Sequence, residues 1–114
     1  MALRARISAE LAEAESSRRA GNEGRARVCA RRAAGLAAGA YFESRGVHSP
    51  ARSAYDQLRL LQREENLPGE TRLAAARLVA KVNTGGQLPH PQDPLEDARG
   101  LVKSLLEAAG QSTH

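Results

Sequence analysis

Residues Arg25 to Gly46 read RARVCARRAAGLAAGAYFESRG, and the rest of the chain is arranged around this stretch. From Ala33 to Phe42 it has no charged side chain and is mostly Ala and Gly, while Arg25, Arg27, Arg31 and Arg32 stud its N-terminal end. A helix that is apolar on nearly all sides has to be buried among other helices. The uncharged run covers about ten residues, half of what a membrane-spanning helix needs, so it reads as a buried core helix. Gly35 and Gly39 each cost a helix about 1 kcal/mol against Ala. Close approach by a neighbouring helix backbone is the expected compensation.

The composition agrees with an all-α chain. Its 114 residues suit one domain over 1–110, with a frayed tail at 111–114. Ala, Leu, Arg and Glu are good helix formers, and no segment alternates with the period of two that a strand requires. Only Tyr41, Phe42 and Tyr55 are aromatic, so the core must be Leu, Val and Ala. Cys29 is the only cysteine, which excludes an intrachain disulfide and a cysteine-rich zinc site and fits a reducing, cytoplasmic setting. No signal peptide, membrane span or lipidation motif is recognisable. The net charge of +4 lies in the first half, where residues 1–50 hold nine Arg against five Glu. Such a half can attract nucleic acid or an acidic partner, or it can be the Arg usage of a GC-rich genome.

Leu3, Ile7, Leu11 and Ala14 give an amphipathic first helix over about residues 2–20. Gly21-Asn22-Glu23-Gly24 closes it and caps the second, so these two helices are antiparallel neighbours. The second ends near Gly46, and Ser49-Pro50 signals the start of a third that runs to about Glu64 or Glu65. A fourth helix is expected over Pro68–Val82, with Ala75, Leu78, Val79 and Val82 on its apolar face and Leu73, Ala76 and Ala80 widening it. Gln87 to Gln92 reads as an irregular loop, and Asp93-Pro94-Leu95-Glu96 as a strong helix start. Leu95, Ala98, Val102, Leu105 and Ala109 line the last helix, which Gly110 stops. The expected fold is an antiparallel four-helix bundle of the first, second, fourth and fifth helices, with a short third helix bridging two of them. A tetratricopeptide array is excluded because no second copy occurs near a period of 34.

This order of elements resembles the HEPN domain, the higher-eukaryote and prokaryote nucleotide-binding helical family. The likeness is carried by RRAAGLAAGAYFESRG, SAYDQLRLL and NLPGETRLAAARLVAKV and extends over about residues 5–108. It implies a HEPN-like bundle that works by self-association or by pairing with a nucleotidyltransferase-type partner. Many family members carry a Glu and a Lys at positions matching Gly35 and Gly39, so that charged pair is absent here. The ribonuclease members have an Arg, four to six residues and a His before the last helix. Here His90 has only the distant Arg77 before it, and Arg45 and His48 are too close together and elsewhere in the chain. RNA cleavage is therefore not implied.

Arg18, Arg19, Arg25, Arg27, Arg31 and Arg32 form the largest basic concentration. They could hold phosphates through bidentate contacts, or they could be a solvated face paired with Glu10, Glu13, Glu15 and Glu23. Few aromatics are interleaved to stack bases. Gly35 and Gly39 could pack within the bundle or let a second chain approach. Tyr41, Phe42 and Tyr55 are expected in the core with their phenols reaching outward, though one of them could anchor a partner helix. Cys29 and His48 lie in no catalytic motif, and His48 and His90 lack acidic residues at metal-ligand spacing. Gly85-Gly86 reads as a helix stop rather than a phosphate loop. The expectation is a non-catalytic protein without metal or cofactor that forms a homodimer or binds a protein partner. The alternative is an RNA-binding protein or diverged ribonuclease using the Arg25–Arg32 cluster.

Overall fold

The computed structural model describes residues 2–47 and 53–111. Five helices follow in order: α1 Leu3–Arg19, α2 Glu23–Ser44, α3 Ala54–Leu61, α4 Gly69–Val79 and α5 Pro94–Gln111. Among the described residues there is no strand, so the chain is all-α as its composition predicts.

Local chemistry sets most of the helix ends. Gly21 adopts φ +82°, and the amides of Gly21 and Asn22 close on the carbonyls of Arg18 and Ser17 at 2.9 and 2.8 Å. Asn22 then accepts the Arg25 amide at 3.0 Å and caps α2. Gly46, at φ +73°, ends α2 in the same left-handed way. The start expected at Ser49-Pro50 lies outside the described residues; the described helix α3 begins at Ala54, where Ser53 accepts the Asp56 amide at 3.0 Å. Pro68 caps α4 from outside, so the helix starts at Gly69. Asp93 does cap α5, accepting the Leu95 amide at 3.2 Å.

Helix α4 is shorter than its apolar pattern predicts, ending at Val79 instead of Val82. Two side chains from distant segments take its last carbonyls. Arg31 Nε donates to the Leu78 carbonyl at 2.9 Å, and His90 Nε2 lies 3.3 Å from the Arg77 carbonyl. Helix C-termini need such partners, and here they replace another turn of helix. Ala80 is already extended, and Val82 lies beyond the helix and is exposed.

The core forms around α2, whose buried positions include Ala30, Ala33, Ala34, Ala37, Ala38 and Tyr41. Small side chains let α1, α3, α4 and α5 all reach it. The bundle is therefore a rhomb: α2 and α5 touch along the short diagonal, α1 and α4 take the far corners, and α3 wedges between α2 and α4. Directions follow from cross-links. Arg18 meets Asp93 and Arg99 meets Glu15, so α1 and α5 are antiparallel. Ala54 lies against Gly35 and Gln57 near Gly39, so α3 follows α2 in the same sense.

Leu58, Leu61, Leu101 and Leu105 fill the space between the alanines. Leu101 is a core residue beside the stripe expected for α5, whereas Leu73, expected to widen the α4 stripe, is 60% exposed. Tyr41 and Phe42 are buried edge to face, with centroids 5.6 Å apart. The Tyr41 hydroxyl does not reach the surface; it is buried and has no hydrogen-bond partner among the described residues. Tyr55 corrects the core expectation. It lies on the exposed face of α3, with the Arg59 guanidinium 5.9 Å from its ring centroid.

Candidate functional site

The six arginines of the basic concentration do not form one surface. Arg18 donates two hydrogen bonds to Asp93 at 2.7 and 2.9 Å and others to Glu23, tying the end of α1 to the start of α5. These carboxylates hold its guanidinium further toward the charged form, while Arg18 draws the Asp93 carboxyl below the ordinary carboxylate range. Arg25 bonds Glu13 at 3.0 Å across the α1–α2 turn. Arg31 is the half-buried cap on α4. Three of the six are thus engaged by other groups of this chain, Arg18 and Arg31 half-buried and Arg25 at the exposed surface. Arg19, Arg27 and Arg32 make no ion pair among the described residues, and Arg27 is half-buried while the other two are exposed.

The two glycines singled out in α2 have different surroundings. A Cβ on Gly35 would lie 2.5 Å from the Ala54 Cβ and 2.6 Å from its Cα, so the bare backbone here is what admits α3. Among the described residues, a Cβ on Gly39 would meet the end of the Gln57 side chain, at 3.5 Å, an ordinary contact. Packing among the described residues therefore explains Gly35 and does not by itself require Gly39.

Both glycines open into a groove of about 480 Å³. Its floor is the face of α2 that carries Gly35, Leu36, Gly39 and Ala40. Leu3, Arg6 and Glu10 of α1 form one wall, and Ser53, Ala54 and Gln57 of α3 the other. Arg32 stands at one end of the floor and Glu43 at the other. Both are exposed, and neither has an ion-pair partner among the described residues. The groove thus joins a partly apolar floor to one opposite charge at each end. Sequence reading singled out Gly35, Gly39 and Arg32 but missed Leu36, Arg6, Glu10 and Glu43. The signal for Glu43 was present: eleven residues is three helical turns, which returns it to the face of Arg32.

A second polar cluster lies between α4 and α5. Arg77 forms a bidentate pair with the buried Asp97, both bonds at 2.8 Å, within a shallow cleft that also holds Glu70 and Glu96. His90 comes close to Arg77 in space despite their separation in sequence, but it reaches the backbone carbonyl, and the guanidinium is committed to Asp97. Cys29 is fully buried, and burial pushes its thiol pKa up, away from nucleophilic use. His48 lies outside the described residues. Among the described residues no group of His, Cys, Asp and Glu could hold a metal ion, and no helix is long and apolar enough to cross a membrane.

Comparison with protein-family models, with curated proteins and with solved structures finds no match for this chain.

Proposed function

We propose that this chain is a non-catalytic, HEPN-like helical bundle in a cytoplasmic setting that works by protein association through the α2 groove, as a homodimer, with a nucleotidyltransferase-type partner, or both. The observation that carries this reading is Gly39. It lies mid-helix, where Gly costs about 1 kcal/mol against Ala, and no contact among the described residues requires it. A glycine that the described packing does not use leaves room for something that approaches from outside. The exposed charges of Arg32 and Glu43 beside it supply polar contacts that the chain leaves open.

The RNA-binding alternative is weakened because Arg18, Arg25 and Arg31 are engaged within the fold. It rests on Arg19, Arg27 and Arg32. Affinity purification of the tagged chain from its source, scored by mass spectrometry for protein and nucleic acid together, separates the two. A stoichiometric protein partner or a homodimer supports association. Recovered RNA that leaves as salt rises, with binding lost on Arg19→Glu and Arg27→Glu, overturns it in favour of phosphate contacts.

A further inference from the structure

We infer that the cavity between the end of α3 and the first turns of α4 binds a carboxylate carried on a small aliphatic body. The Arg72 guanidinium and the Gln62 carboxamide take the anion, and Leu73 takes the aliphatic part. This site shares no lining residue with the α2 groove and does not rest on the association reading.

The cavity holds about 340 Å³ and is lined by Gln62, Gly69, Arg72, Leu73 and Ala76. Gln62 Nε2 and Arg72 Nε are buried and have no hydrogen-bond partner among the described residues. Both are donors, and a guanidinium has no acceptor at all. Unmatched buried donors are uncommon in folded proteins, and two of them beside one cavity require an acceptor. Arg72 also forms no ion pair among the described residues. Its guanidinium folds back over the start of α4, with Nη2 3.9 Å from where a Cβ on Gly69 would stand. That end of the helix is the positive pole of its dipole and has no side-chain cap. Glu70, the acidic residue of the same turn, lines the α4–α5 cleft and not this cavity. The acceptor that fits is therefore an anion.

The remaining lining selects among anions. Leu73 is 60% exposed, the most exposed large apolar side chain among the described residues. Ala76 stands three residues further along the same face of α4. A bare phosphate would leave both in water. A carboxylate accepts two parallel bonds from a guanidinium, and an aliphatic body attached to it would cover Leu73. Rotation about the soft terminal torsion of Gln62 brings its buried amide nitrogen to the same anion.

Nuclear magnetic resonance of the nitrogen-labelled full chain, titrated with N-acetyl-leucine, tests this. The Arg72 Nε–H and Gln62 Nε2–H signals are expected to move together, with a Kd of about 0.1–10 mM, ordinary for a ligand of this size. N-acetyl-leucinamide, which lacks the charge, is expected to bind at least about tenfold more weakly. Arg72→Gln is expected to cost the acid a similar factor, and Leu73→Ala about threefold to tenfold. Neither side chain is fully buried, and the backbone amide spectrum checks that each variant folds. The acetylated tripeptide alanyl-alanyl-leucine separates two sources of the same chemistry. Tighter binding than N-acetyl-leucine supports the site with a peptide C-terminus as its ligand, and equal binding supports it with a free acid. No movement of the two signals at about 50 mM N-acetyl-leucine, well above the expected range, overturns the inference. Inorganic phosphate or the neutral amide binding as tightly as the acid also overturns it, because the aliphatic body or the charge would then be unused.

Discussion

A Cβ built on Gly35 would lie 2.5 Å from the Ala54 Cβ and 2.6 Å from its Cα, so α2 and α3 meet where only glycine fits. The obstruction is the start of a helix rather than a flexible side-chain tip, so α3 itself would have to move. Overpacking of this kind costs about 1–3 kcal/mol and outweighs the helix-propensity gain of about 1 kcal/mol from replacing Gly. Gly35→Ala is therefore expected to destabilise the fold in urea denaturation. A midpoint that rises instead would show that α3 is loosely held.

Gly39→Ala should have the opposite sign. The added Cβ makes only an ordinary contact with Gln57, so the folded monomer is expected to gain up to about 1 kcal/mol. If the chain associates through the groove as proposed, the same methyl group would stand in it and weaken that association. Dilution isolates the first effect and sedimentation reads the second. A variant that is more stable and still fully dimeric would remove Gly39 from the interface.

These two glycines show what could be read without the structure and what could not. Turn chemistry was legible because its partners are close in sequence: Gly21 with Asn22, and Asp93 with Leu95. That α2 is buried was legible because residues 33–42 leave it no polar face. The end of α4 was not, since Arg31 and His90, which take its last carbonyls, come from α2 and a later loop. Apolar stripes misled where spacing allowed two faces, exposing Leu73 and burying Leu101. The groove was half legible. Gly35, Gly39 and Arg32 stood out by residue type, but only the placement of α3 tells which glycine the fold already uses. The engagement of Arg18 by Asp93 across most of the chain could not be read at all.

Arg77 and Asp97 offer a test of how α4 is held to α5. Their bidentate pair is half-hidden, with Asp97 buried and the Arg77 side chain 23% exposed. Arg77→Met leaves a buried carboxylate unpaired, which costs 3–5 kcal/mol for a fully buried pair and about 2 kcal/mol at this partial exposure. Arg77→Met/Asp97→Leu removes both charges and is expected to recover most of that loss. Urea denaturation of the two single variants and the double variant closes the cycle. A double variant as unstable as Arg77→Met would show that the cost comes from lost packing of the Arg stem.

The Arg18–Asp93 pair predicts a pH dependence with a definite sign. Hydrogen bonds from Arg18 hold the folded Asp93 carboxyl below its ordinary range, against the opposing effect of partial burial. A carboxyl with a lower pKa in the folded state contributes stability above its unfolded pKa of about 4. That contribution is lost as pH falls through the folded value. Both side chains are about a third exposed, at 34% and 36%, so solvent screening keeps the contribution small. About 0.5–1 kcal/mol is expected. Asp93→Asn isolates the charge because Asn is an equally good N-cap and keeps the bond to the Leu95 amide. At neutral pH the variant should be less stable by that amount, and its stability should fall less steeply below pH 4. Thermal denaturation from pH 7 to pH 2 checks this, and parallel curves for the two proteins would mean that the pair contributes nothing measurable.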